Sequence, residues 1–302
     1  SETMSEEKSS TRWKKLANCP TKLFANPVVL SENEIILSPY GKNEYLRKYD
    51  ITKDKFSPYI PYPTEINIKF HTIAIDRKSG KIYLYDGCDR IFVEFDVHKQ
   101  LVTKCKKKKQ IVGNGKLCTS FVYDHQFHVI GGTEKERHLI WDTMQQKFNE
   151  YHMPQPGPGG HSSIVLSNGR NGNVYDNPRI IVFGGNESIK FSKYLDSISI
   201  CDLHPEITWR KLKNHTMPYK QYFFGTIVYK QLYVIIFGGK QKDPNAKTNS
   251  GLTDEIWIMT LKTFKFSRCH MKCPKKAKYY AVLTDKNIVH LFEYEGNGGH
   301  WK

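Results

Sequence analysis

Lysine is the residue type that most invites chemistry in this chain. Lys and Arg number 46 against 30 Asp and Glu, a formal charge of +16 over 302 residues. The excess is concentrated. Lys104 and Lys106, Lys107, Lys108 and Lys109 form one run, and Lys211, Lys213 and Lys220 a second. Lys240, Lys242 and Lys247 form a third, and Lys272, Lys275, Lys276 and Lys278 a fourth. Between positions 262 and 278 there is no acidic residue. Aromatics stand beside two of these runs: Tyr219, Tyr222 and Phe223, then Tyr279 and Tyr280. Aromatic anchors inside a charged rim suit an interface with an acidic partner. The same residues could stack bases and draw in a polyanion.

Other chemistries find less support. The three Gly pairs that close apolar runs invite a phosphate loop, but a phosphate cradle opens a helix and often carries Lys-Ser/Thr, and neither follows here. His161 sits in GGHSS, and the other histidines are scattered. His125 and His128 lie three apart, so on a strand they face opposite sides. Cys269 and Cys273 have CxxxC spacing with no second pair of ligands at zinc-finger distance. Seven cysteines, an odd number without a regular framework, indicate a reducing compartment. There is no G-x-S-x-G and no H-E-x-x-H.

The elements that must position these residues repeat. FHVIGG ends at Gly132, IIVFGG at Gly185 and VIIFGG at Gly239, at steps of 53 and 54 residues. Weaker copies end at Gly41, Gly87 and Gly296. Each is an apolar run closed by glycine, which reads as a buried strand. Downstream of most runs comes a pair of large residues seven or eight apart: Tyr49 and Phe56, Phe95 and Val102, Trp141 and Phe148, Cys201 and Trp209, Met259 and Phe266. Polar stretches such as DITKDK and DTMQQK lie between them, so each pair predicts a hairpin. Upstream lies another strand: 71–76, 119–124, 162–167 and 225–230. Each unit therefore holds four strands, and long helical periodicity is absent.

The Gly pair, the later aromatic pair and the period of about 50 residues resemble kelch repeats. The resemblance covers residues 11–302 and implies an all-β, six-bladed β-propeller of four-stranded antiparallel blades. The sixth unit lacks a fourth strand, and TRWKKL at 11–16 resembles the TWRKLK of 208–213. The expectation is therefore a single domain over 11–302, its ring closed by an N-terminal strand with Trp13 in the place of Trp209. Residues 1–10 fall outside the repeat and are expected to be disordered. The Gly pairs are expected to serve the backbone at crowded positions. The equivalents of His161 are Phe70, Cys118, Phe224 and Lys278, a variety that suggests channel lining.

In such a fold the lysine runs fall mainly on the face made by the links between blades and by the loops between second and third strands. The insertion at 240–255 lies there, whereas that at 167–179 joins first and second strands. The expected function is a non-catalytic interaction module, without cofactor, binding an acidic protein or peptide. The alternatives are binding of nucleic acid or anionic lipid, and a galactose-oxidase-like metal enzyme, whose two tyrosine and two histidine ligands no local spacing identifies here. No apolar stretch reaches the length of about 18 residues needed to span a membrane, and the N-terminus shows no secretory h-region. The expected setting is cytoplasmic, with the nucleus as the alternative.

Overall fold

The computed structural model describes residues 13–20, 22–23, 25–38, 45–62, 71–107, 115–132, 137–153, 159–166, 177–186, 194–242, 250–294 and 298–302. Residues 1–10, Phe70, Lys108, Lys109, the stretch 167–176 and Lys247 lie outside them. Regular structure among the described residues is all strand, and no helix is long and apolar enough to cross a membrane.

Strands follow one another in space as they do in sequence. The first sheet is β1 (Val28–Ser31), β2 (Glu34–Leu37), β3 (Tyr45–Asp50) and β4 (Lys55–Pro61). The second is β5 (His71–Asp76), β6 (Lys81–Asp86), β7 (Ile91–Asp96) and β8 (Leu101–Lys107). The third is β9 (Thr119–Tyr123), β10 (Gln126–Ile130), β11 (Arg137–Asp142) and β12 (Lys147–His152). The fourth is β13 (Ser162–Leu166), β14 (Arg179–Phe183), β15 (Ser197–Asp202) and β16 (Thr208–Thr216). Next comes β17 (Lys220–Tyr222), outside these stacks. The fifth sheet is β18 (Gly225–Tyr229), β19 (Tyr233–Phe237), β22 (Glu255–Thr260) and β23 (Lys265–Lys272). Between β19 and β22 the chain makes β20 (Lys240–Lys242) and β21 (Ser250–Leu252), which join β17 in a small sheet of their own. The last sheet is β24 (Tyr279–Leu283), β25 (Val289–Glu293) and β26 (His300–Trp301). All pairings are antiparallel.

The five large-residue pairs read from the sequence are direct cross-strand partners: Tyr49 with Phe56, Phe95 with Val102, Trp141 with Phe148, Cys201 with Trp209, and Met259 with Phe266. A shared turn design fixes that register. Asp50, Asp96 and Asp142 each accept the backbone N–H groups two and three residues on, from Thr52 and Lys53, His98 and Lys99, and Met144 and Gln145. The next residue, Asp54, Gln100 or Gln146, has φ between 51° and 55° and returns the chain to the sheet. Those bonds hold the three carboxyl groups below their usual range, Asp50 at about 2.

Apolar side chains gather in wedges between successive sheets. Ile36 and Leu84 share the wedge of the first and second sheets, and Phe92 and Phe127 that of the second and third. Val182 shares its wedge with Ile130, Phe183 with Ile236, and Phe237 with Leu291. A further wedge joins Phe292 of the last sheet to Leu37 and Tyr49 of the first. Each innermost strand touches the next: β1 with β5, β5 with β9, β9 with β13, β13 with β18, β18 with β24, and β24 with β1.

The Gly pairs sit where two sheets are tied together. Gly184 and Gly185 have φ of 57° and 97°, and Gly238 and Gly239 have 53° and 102°, the left-handed region that side chains rarely adopt. The first glycine of each pair donates to its own sheet, Gly184 to Ser197 O and Gly238 to Glu255 O. The second donates across to the following link, Gly185 to Gln221 O and Gly239 to Ala277 O.

The N-terminal segment lies against the last sheet. Lys14 and Lys302 exchange both backbone bonds, at 2.8 and 3.0 Å, and Leu16 N donates to His300 O at 2.9 Å. Trp13 packs edge-on to Phe237 at 6.2 Å and its indole N–H donates to Lys272 O.

Candidate functional site

The innermost strands leave a small pocket at their N-terminal ends, open to solvent. Residues just before or at the start of these strands line it: Cys118 and Thr119, His161 and Ser162, Phe224, Tyr279 and Tyr280. Cys118, His161 and Phe224 are thus lining residues, as the sequence reading held, and Lys278 stands on the rim. The hydroxyls form bonds from sheet to sheet. Thr72 meets Ser120 at 2.7 Å, and Thr119 meets Ser163 at 2.7 Å and His161 Nε2 at 2.8 Å. Ser162 meets Thr226 at 2.5 Å.

One side of this mouth is aromatic. Phe223 and Tyr294 stack at 4.4 Å, and Tyr280 meets Tyr294 at 5.5 Å. Tyr222 stands 4.8 Å from Phe223, and Tyr194 4.6 Å from Tyr222. Phe223 holds φ of 54°, a rare value for an aromatic residue, with its N–H bonded to Gly160 O. Two lysines lie over these rings. Lys278 Nζ is 4.7 Å from the centre of Phe223 and 4.9 Å from that of Tyr294, and Lys240 Nζ is 5.9 Å from that of Tyr222.

Beside the mouth stands the small sheet, which no sequence pattern announced. In it Lys220 faces Lys242 and Tyr222 faces Lys240, with Lys240 in turn opposite Leu252. Directly paired residues share a face, so Lys220, Lys240 and Lys242 project together. Gln221 points the other way, is buried, and donates its side-chain amide to Gly238 O. The glycine turn of the fifth sheet therefore anchors the lysine platform from beneath.

The structure sorts the predicted lysines. Lys272 bonds Asp254 at 3.4 Å and Lys275 bonds Glu293 at 2.8 Å. Lys106 is half-buried on β8, donating to Gln146 O at 2.7 Å over the ring of Trp141. Lys107 ends the same strand. Lys211 and Lys213 lie exposed on the outer strand β16, away from the link where the sequence reading set them, because that strand runs on to Thr216. Lys220, Lys240, Lys242 and Lys276 make no ion pair among the described residues. Arg77, in the turn between β5 and β6, makes a two-pronged pair with Asp285 of the last sheet, at 2.9 and 2.5 Å.

The sequence reading missed two buried histidine pairs. His128 Nδ1 meets His138 Nε2 at 2.9 Å, and His290 Nδ1 meets His300 Nε2 at 2.9 Å. Each pair spans the second and third strands of its sheet, and both have an interval of ten residues, which was the available signal. Burial is the largest cause of their weak basicity. It brings His128 down to about 4, with a backbone contact at Tyr123 acting weakly the other way. His138 is held well below its usual value by burial and then by His128. His290 falls to about 4 through burial and then Lys302, and His300 to about 3 through burial and then His290.

This burial sets an acid sensitivity. An unfolded histidine titrates near 6.5, so below that pH the unfolded chain takes up protons that the native pairs refuse. The stabilisation is whole above about pH 6.5 and is lost as pH falls toward about 4. At pH 5 each fully depressed histidine costs about 2 kcal/mol. Urea unfolding at pH 7, 6 and 5 should show a falling midpoint, and a constant midpoint would refute this.

No family model matches the chain, and no curated protein matches it in sequence. Solved structures do match in shape. YjhT superposes with a TM-score of 0.71 at 12% identity, covering 95% of each chain. A fungal alcohol oxidase of the AA5 family, in complex with copper, superposes with a TM-score of 0.65 at 12% identity, covering 96% of this chain and 76% of that one. The second likeness corrects the expectation that the chain is not an enzyme, since the same architecture carries a copper alcohol oxidase. Missing local motifs were a poor guide, because residues brought together by such a fold come from sheets far apart in sequence. As to a metal, no three His, Cys, Asp or Glu side chains converge as donors among the described residues. What the two likenesses establish is the architecture: this chain has a β-propeller fold.

Proposed function

We propose that the chain is a six-bladed propeller that binds an acidic protein or peptide segment at its lysine-bearing mouth. The blade count is supported by the succession of innermost strands that returns from β24 to β1. Closure by residues 13–16 is supported by their backbone bonds to 300–302. The binding reading rests above all on Lys220 facing Lys242 across the small sheet. Like charges directly opposite each other cost stability, and an anionic partner would offset that cost. Lys240 and Lys278 over their aromatic rings add a rim in which cation and ring act together, and Lys276 extends it.

The test is titration of a fluorescent Asp/Glu-rich peptide into the chain at low and physiological salt. Replacing Lys220, Lys240 and Lys242 together with Ser should weaken binding about tenfold or more, about 1.4 kcal/mol. Replacing Lys211 and Lys213 on the outer strand should change it less than twofold. Association should slow as salt rises, since screened charges act mainly on the on-rate. Equal losses from both sets, or none, would remove the mouth from the mechanism. Binding of an oligonucleotide without binding of the peptide would replace this reading with a polyanion site.

A further inference from the structure

We propose that the His290–His300 pair is a proton-operated latch, releasing the 14–20 segment on acidification while the other sheets stay folded. The inference rests on the closure by N-terminal residues proposed above. His300 lies at the joint between the last sheet and the first. Its ring stacks on Phe292 at 4.1 Å and meets Tyr49 of β3 at 4.5 Å and Phe56 of β4 at 5.9 Å. Its backbone carbonyl takes the Leu16 N–H, so one residue is both the buried base and the anchor of the segment.

The groups facing the pair support a proton poorly: the Ala17 backbone favours one on His300 but does not offset the burial. Lys302, just past β26, opposes it, and Lys14 stands nearby on the segment, close enough to act on Asp54. The one carboxylate that favours it, Asp54 in the β3–β4 turn, is already committed. Its Oδ1 accepts Ala17 N–H at 2.9 Å and the Tyr49 hydroxyl at 2.7 Å. Asp50 acts further off, through Tyr49. A proton on the pair must therefore sit in an apolar wedge with only the Ala17 backbone to face it, or draw Asp54 away from Ala17. Either course loosens the segment, which is held by a few backbone bonds alongside the two-residue strand β26.

The other pair supplies an internal control. His138 lies on the six-residue β11, paired along its length with β12 of the same hairpin. Around the pair stand Phe121, Tyr151 and Trp209, and among the described residues no terminal segment is bonded to it.

Two buried cysteines read the two places out. Cys19 lies in the released segment, its N–H bonded to Gly298 O at 2.7 Å. Cys201 lies between the third and fourth sheets, in the wedge that holds Trp209. Labelling of the intact chain with 4,4′-dithiodipyridine, resolved by peptide mass and divided by the rate in the urea-unfolded chain at the same pH, measures both. From pH 7 to pH 5 the Cys19 rate should rise at least tenfold and the Cys201 rate less than twofold. Replacing His290→Phe and His300→Phe together should abolish the rise, while His128→Phe with His138→Phe should keep it. A joint rise at both cysteines, or none at Cys19, overturns the latch in the wild-type chain alone, whatever the variants do. A selective rise that persists in a folded His290→Phe, His300→Phe chain also overturns it. Should Cys19 already react at the unfolded rate at pH 7, the closure itself is wrong.

Discussion

A Gly239→Val chain is expected to lack a stable folded state. At Gly239 φ is 102°, and an added Cβ would lie 2.8 Å from the Phe224 Cβ and 3.0 Å from the Gln221 amide. Neither neighbour is a flexible tip free to move, because Gln221 is tied to Gly238 O and Phe224 fills the wedge between the fourth and fifth sheets. Valine adds a branched side chain to a conformation that already disfavours any Cβ. Strain and overpacking together should exceed about 4 kcal/mol, a large part of a typical stability of about 5–15 kcal/mol. Gly238→Val should do the same, since its Cβ would meet the Ala277 carbonyl at 2.8 Å. Gly251→Ala supplies the contrast. It has open space around it, and its change should stay within about 0.5 kcal/mol. Soluble yield and thermal melting decide the matter. A Gly239→Val chain melting within a few degrees of the parent would show the Gly pairs to be dispensable.

Removal of residues 1–16 should cost nearly as much, and removal of 1–10 little. The longer cut takes away Leu16, which is buried, and Trp13 with its bond to Lys272 O. It also takes the three backbone bonds that Lys14 and Leu16 make with Lys302 and His300. Four hydrogen bonds at about 1 kcal/mol each and the burial of one leucine and part of a tryptophan sum to about 5 kcal/mol or more. For a chain of this size that is a melting shift of about 8 °C or more. The cut also bares the edge of β26. Equal melting of the two truncations would mean that 13–16 do not hold the molecule together.

Much of the fold was legible because it is written in short-range spacing. The hairpin residues announced themselves as partners, Trp141 with Phe148 and Met259 with Phe266, since a four-residue turn opened by Asp or its equivalent leaves one register. The glycines were legible too, because only backbone reasons explain three pairs without a helix behind them. The site was harder to read. The β17–β20–β21 sheet joins a link to an insertion, and nothing in KQY or KQK marks them as strands that will meet. Lys211 was misplaced because an exposed outer strand has no apolar boundary to show where it ends. His128 and His138 flank a loop that differs in sequence from the one between His290 and His300, which hid the shared interval. Arg77 and Asp285 lie 208 positions apart, beyond any local pattern.

The glycine turns also determine how the molecule comes apart. Gly185 gives its N–H to Gln221 of the following link, and Gly239 gives its own to Ala277. Detaching one sheet would strand a donor in its neighbour. A linear array of repeats frays from its ends, each unit melting nearly on its own. Here a sheet that leaves disables the one beside it, and the apolar wedge from Phe292 to Tyr49 joins the last sheet to the first, so neither of these sheets has a bare outer flank from which melting could begin. Heat should therefore melt the assembly in one cooperative step, with calorimetric and van't Hoff enthalpies in agreement.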